Sequence, residues 1–267
     1  MRPPREPALS PVDLVVIGAI AGFLAGFLGI GGGLVIVPAL TLLFSRDSAY
    51  APLATHMAVA TSLAVMLVTS LSSIVAHARR RAVDWPQVGR FVPGLLVGAA
   101  IGAVLADHLD TRQLALVFAL FVTAAGIQLL VARTPEKQRP QPGKAIQAGV
   151  ATVIGALSSM VGIGGGSLTA PWLMWHGSLP QRAVATAAAC GYPIAVAGAL
   201  TFVVLGRELG LGVTGYVDLQ AFAGIAIAGV LTAPIGAAVV HHTDPARVRK
   251  IFGFCLLAVA ARMAWGA

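Results

Sequence analysis

The chain reads as an all-α polytopic membrane protein, with about eight transmembrane segments in two pseudo-symmetric four-segment halves. Three observations predict this. Of its 267 residues 57% are hydrophobic and 10% charged, at a mean hydropathy of +0.86, whereas soluble domains carry roughly 25% charged residues. The apolar residues form membrane-length runs separated by short charged gaps. The second half also repeats the first in order: at an offset of 133, Gly22, Leu24, Gly29 to Gly33 and Pro38 match Gly155, Leu157, Gly162 to Gly166 and Pro171. Ala58-Val59-Ala60-Thr61 returns as Ala183-Val184-Ala185-Thr186, and Val83-Asp84, His108, Asp110 and Phe118 return as Val217-Asp218, His242, Asp244 and Phe252. Matches kept in order across a half signal an internal duplication.

Residues 1–133 are the first repeat, with 1–11 a cytoplasmic tail. Leu14 to Phe44 is 31 residues without a charge; as one helix it would reach roughly 46 Å against a core of about 30 Å. Gly29-Ile30-Gly31-Gly32-Gly33 divides it, because each glycine costs a helix about 1 kcal/mol against alanine. A helix to about Leu28 and a shorter one from about Leu34 are expected. Gly18, Gly22 and Gly26 recur every fourth residue, placing them on one face where another helix can pack closely. The next segments are Leu53 to His77, Val88 to Ala106 with Gly94, Gly98 and Gly102 similarly spaced, and Leu114 to Ala132.

A proline-rich, basic linker at 134–144 leads to the second repeat, 145–267. Its first segment, Ile146 to about Leu179, is broken at Gly162-Ile163-Gly164-Gly165-Gly166. Ala183 to Gly206, Leu219 to Val240 and Val248 to Trp265 complete it.

Lysine and arginine set the orientation of such a protein. With eight spans, twelve of the eighteen fall on the side of the termini, predicting both termini in the cytoplasm. Arg247, Arg249 and Lys250 run against that trend in the second half. The conflict disappears if the halves are inverted, with an odd number of crossings each and the glycine-broken segment re-entrant; eight spans remain the expectation.

Irregular backbone survives at membrane depth only when buried in protein or lining a cavity. A helix resuming after a glycine loop offers unpaired N–H groups and the positive end of its dipole to an anion. Glycine-interrupted segments at matching places in two halves also mark a transporter's central site. The candidate binding residues are therefore Gly29, Gly31, Gly32 and Gly33, with Gly162, Gly164, Gly165 and Gly166. Thr61, Ser62, Ser167, Thr169 and Thr186 would add hydroxyl donors. Close helix packing is the bland alternative for the glycines, and a bond to the preceding turn is the one for the hydroxyls. His56 is the candidate for proton coupling, set against an interfacial histidine. Asp84 and Asp218, just ahead of apolar runs, suit helix caps. Trp85, Trp172, Trp175 and Trp265 lie near segment ends as belt residues, and Cys190 and Cys255 read as packing residues.

The paired G-I-G-G-G motifs, the A-V-A-T segment after each and V-D before the third segment of each half resemble the sulfite exporter TauE/SafE family of membrane permeases. The resemblance runs from about Pro11 to Met263. It implies transport of small anions across the bacterial inner membrane, with sulfite, organosulfonates and other sulfur compounds among the substrates.

The net charge of +8 is spread through the gaps with no aromatic interleaving, so nucleic acid is not an expected partner; the lipid bilayer and a small anion are. Neither glycine cluster precedes a Lys-Ser/Thr pair, which disfavours transport driven by this chain's own ATP hydrolysis. No cofactor or metal is expected. The histidines are scattered without a paired ligand motif, arguing against an enzyme. The rival readings are a permease for another solute such as a carboxylate and a membrane assembly subunit that moves nothing. The sequence carries no signal for an oligomeric state.

Overall fold

The computed structural model describes residues 10–28, 32–131, 140–209, 214–240 and 245–266. The first half holds α1 (Pro11–Leu28), α2 (Gly33–Phe44), α3 (Ala54–Arg79), α4 (Trp85–Asp107) and α5 (Thr111–Val131). The second holds α6 (Lys144–Val161), α7 (Gly166–Trp175), α8 (Pro180–Leu205), α9 (Leu219–Val240) and α10 (Pro245–Gly266). Among the described residues, five long helices are apolar enough to cross a bilayer, and shorter apolar helices accompany them. This is the expected polytopic α-helical architecture, with helix boundaries close to those read from the apolar runs. Both breaks fall at the glycine clusters.

The halves are interleaved. The most extensive packing pairs α1 with α9 and α4 with α6, so the first helix of each half lies along the fourth helix of the other. The fourth-residue glycines make these contacts. Gly18 abuts the backbone of Ile225 and Gly22 that of Gly229, while Gly94 and Gly98 meet Ala148 and Thr152. A β-carbon at any of these positions would collide with the neighbouring main chain, the close approach that stabilises helix pairs where lipid supplies no hydrophobic drive.

These contacts also set direction. Gly18 faces Ile225 and Gly22 faces Gly229, so α1 and α9 run parallel. Thr61 meets Asp218 at the start of α9, and Thr69 lies beside Gly229 farther along. Hence α3 is parallel to α9 and to α1. The chain must therefore reverse between α1 and α3, and α2 is the returning arm. Gly32 accordingly lies back against Ala21, where a β-carbon would sit 3.2 Å from the Ala21 carbonyl oxygen. In the second half Gly165 likewise returns to Ile154, again eleven residues back.

By the same reasoning α6 runs parallel to α4 through Gly94 with Ala148 and Gly102 with Ala156. The start of α8 meets the start of α4 through Thr186 and Asp84. Their ends meet through Tyr216, which touches both Phe202 and Asp107. So α4, α6 and α8 run opposite to α1, α3 and α9. Because α6 and α8 repeat α1 and α3, the repeats are inverted. Each glycine-broken segment is a hairpin instead of one interrupted crossing. Its returning arm, 12 residues in α2 and 10 in α7, reaches roughly 15 to 18 Å, about half the hydrocarbon thickness.

Small details follow the sequence less evenly. Asp84 and Asp218 do cap helix starts, accepting from Gln87 N–H at 3.2 Å and Ala221 N–H at 2.7 Å. Trp85, Trp175 and Trp265 are exposed as belt residues would be. Trp172 instead packs on Phe91 and His176, and of the two cysteines only Cys190 is buried.

Candidate functional site

The two hairpins enter from opposite faces, and their glycine turns meet inside the bundle. Gly33, at the start of α2, is pressed against the carbonyl of Gly162, with Ile163 and the Ser62 hydroxyl beside it. A side chain on Gly33 would leave no room for that carbonyl. Ser62 donates to the same Gly162 oxygen at 2.8 Å across the two halves. Gly29 and Gly31 lie outside the described residues.

The second turn has a defined local cause. Gly162 adopts φ +69°, a left-handed conformation that glycine enters without a β-carbon clash. That turn lets Ile163 N–H reach back to Ser158 O at 3.0 Å and Gly162 N–H to Ser159 O at 3.2 Å, closing α6 with a Schellman-type cap. Gly165 then opens α7, accepting from Leu168 and Thr169 N–H at 3.2 and 2.7 Å. The first N–H groups of α7 have no partner within that helix. Gly164 packs against Gly191 of α8.

Buried hydroxyls gather around this second turn. Thr169, Ser158 and Ser159 are fully buried, and their hydroxyl oxygens, with that of Ser167, have no hydrogen-bond partner among the described residues. Ser158 and Ser159 were not singled out by the sequence. Their first-half counterparts are Ala25 and Gly26, so the repeat pattern carried no signal at either position.

The remaining predicted hydroxyls serve elsewhere. Thr61 accepts from the backbone N–H of Asp218 at 3.1 Å, and Thr186 accepts from that of Asp84 at 3.0 Å. These are matching contacts at opposite ends of the bundle, each tying the A-V-A-T segment of one half to the V-D of the other. Asp84 also pairs with Arg182 at 3.2 Å.

His56 lies six residues before Ser62 on α3, roughly 9 Å along the axis. Its Nε2 is 3.0 Å from both Ala106 O and Leu109 O, so that nitrogen carries the hydrogen and donates to two carbonyls. Its Nδ1 is buried without a partner among the described residues. The ring stacks on Tyr216 with centroids 5.6 Å apart, and Tyr216 donates to Asp107 at 2.7 Å. Burial, followed by the Asp107 carboxylate, pushes the Tyr216 phenol above its ordinary range. No group of three or more metal-ligating side chains occurs among the described residues.

Two inverted hairpins meeting through glycine turns form a transporter-like core, and comparison with known proteins decides which one. The family model for the sulfite exporter TauE/SafE matches residues 14–263. The chain belongs to the sulfite exporter TauE/SafE family. A probable membrane transporter protein of Haemophilus influenzae is 30% identical over 258 residues, covering 93% of this chain and 96% of that relative. Another from Bacillus subtilis is 29% identical over 74% of this chain and 80% of its own length. A third, from Methanocaldococcus jannaschii, is 28% identical, with 88% of each chain covered. No solved structure shows a significant match. As a TauE/SafE member the chain is a multi-pass membrane transporter, and the match spans both hairpins and every hydroxyl named above.

Proposed function

We propose that the protein carries a small anion, of the sulfur oxyanion or organosulfonate class with sulfite as the leading candidate, through a site where the two repeats meet. The contact of the glycine turns, Gly33 against the Gly162 carbonyl, is the observation that carries this reading. The start of α7 and the unpartnered hydroxyls of Ser158, Ser159, Ser167 and Thr169 belong to the same second turn, and they are neutral donors of the kind an anion needs. Family membership supports transport, and the family's description supports sulfite. Neutral donors also suit a carrier, because a fixed core arginine would slow release.

The test is uptake of labelled sulfite into proteoliposomes with and without an imposed pH gradient. Saturable flux supports the reading, and a response to the gradient that is lost in His56→Gln supports a coupling role for His56. Absence of flux for sulfite, sulfate and a sulfonate alike would sink it.

The inverted fold also revises the orientation expected from eight spans. The ends of α3, α5, α7 and α9 and the starts of α4, α6, α8 and α10 share one face, and twelve of the eighteen lysines and arginines lie in the sequence between these ends or within two turns after them. Arg247, Arg249 and Lys250 now join the majority. The positive-inside rule assigns that face to the cytoplasm of the inner membrane and puts both termini outside.

A further inference from the structure

We infer that the transported anion is held on one side only, by the N-terminus of α7 together with the hydroxyls of Ser158 and Thr169, while the start of α2 supplies no hydroxyl to it. The inference rests on the anion-carrying reading above and names which half of the site does the binding.

The argument starts from a crevice in the first half. It is walled by Ala21, Ala25, Gly32 and Ile36 on the α1–α2 hairpin and by Thr69 and Gly229 opposite. The repeat offsets carry Ala25 to Ser158, Gly32 to Gly165 and Ile36 to Thr169. Positions that share one apolar space in the first half therefore bear two hydroxyls in the second. The equivalence is visible directly: Gly165 faces Ile154 and Ile194, the counterparts of Ala21 and Thr69. Thr169 Oγ1 lies 3.3 Å from where a β-carbon on Gly165 would be, so the hydroxyl is turned back to the start of α7.

Both hydroxyls are fully buried and lack a partner among the described residues. A buried polar group without a partner is costly, which is reason to expect a ligand that supplies one. The first N–H groups of α7, which have no partner within that helix, add the positive end of a helix dipole to the same turn. Among the described residues, the start of α2 offers no such set. It is pressed on the Gly162 carbonyl, which carries negative partial charge, and Leu34 and Ile36 stand where Ser167 and Thr169 stand in the second turn. Two hydroxyls and two N–H donors suit a ligand with several oxygens on one centre, as in sulfite or a sulfonate.

The experiment measures KM for labelled sulfite in proteoliposomes for the wild type, Thr169→Val, Thr169→Ser, Ser158→Ala and the first-half control Ile36→Val. KM is independent of how much protein folds, so partial misfolding does not imitate the effect. Thr169→Val and Ser158→Ala are expected to raise KM about tenfold or more, as loss of a hydrogen bond to a charged ligand does. Thr169→Ser is expected to stay within about threefold of wild type and Ile36→Val within about twofold. If Ile36→Val weakens binding as much as Thr169→Val, or if Thr169→Ser is as damaging as Thr169→Val, the one-sided site is wrong while anion transport stands. If wild-type vesicles move no oxyanion, both readings fall together.

Discussion

Ser62 is the residue on which the meeting of the halves turns. Its hydroxyl supplies a hydrogen bond to the Gly162 carbonyl that α6 cannot provide once its last turn is closed. Ser62→Ala leaves that carbonyl short of a partner in a buried setting, at a cost of about 1 to 3 kcal/mol; thermal unfolding in detergent would register it. Gly33→Ala forces a methyl onto the same carbonyl and is expected to cost about 1 to 3 kcal/mol by overpacking, with flux lost as the turns separate. A Gly33→Ala protein that melts and transports like wild type would show that the turns do not need this approach. Tyr216 yields a prediction in pH. Its raised pKa means the folded state holds the phenolic proton more tightly than the unfolded chain, whose value is about 10. The stabilisation is complete below pH about 10 and declines as pH climbs toward the folded value. Melting temperature between pH 9 and 11 should therefore fall more steeply for wild type than for Tyr216→Phe.

At the level of elements, the same contact is made twice under different conditions. Thr61 receives the Asp218 N–H in a buried setting, whereas Thr186 receives the Asp84 N–H where water has partial access. Thr61→Val should therefore destabilise by about 1 to 3 kcal/mol and Thr186→Val by less, since water can replace the lost acceptor. Equal losses in denaturation would contradict that difference. Arg182 is more than half exposed, 56% at its side chain, so breaking its pair with Asp84 by Arg182→Gln should cost under about 1 kcal/mol and matter less in high salt. The helices themselves were legible because uncharged runs and glycine clusters are one-dimensional signals. The reversal at each cluster was not. Four glycines in five positions say that a helix stops, but the direction in which the next one starts is set by distant packing, on α9 for the first cluster, more than 180 residues away, and on α4 for the second. Arg247, Arg249 and Lys250 were the local trace of it, as charges on the wrong side of an eight-span count. At the site, Thr169 was visible as a hydroxyl near the turn. Ser158 was hidden, because its unpaired state exists only once α6, α7 and α8 have packed.

For the whole molecule, inversion of the halves makes a prediction that composition alone did not. Alkaline phosphatase fused at either terminus should be active in cells, and green fluorescent protein fused there through the export pathway should stay dark. A reporter inserted in the linker at 134–144 should behave the opposite way. Cytoplasmic termini in this assay would return the positive-inside count to its eight-span form and leave the three basic residues after α9 unexplained. The packing of α1 also bears on time. Its glycine face is complementary to α9, and Gly18 and Ile225 are 207 residues apart in the chain. At a synthesis rate of roughly 5 to 20 residues per second, α1 waits on the order of 10 to 40 seconds for the helix that covers it. During that interval the first hairpin stands in lipid with its closest-packing surface bare, and a ribosome stalled before residue 225 leaves it so.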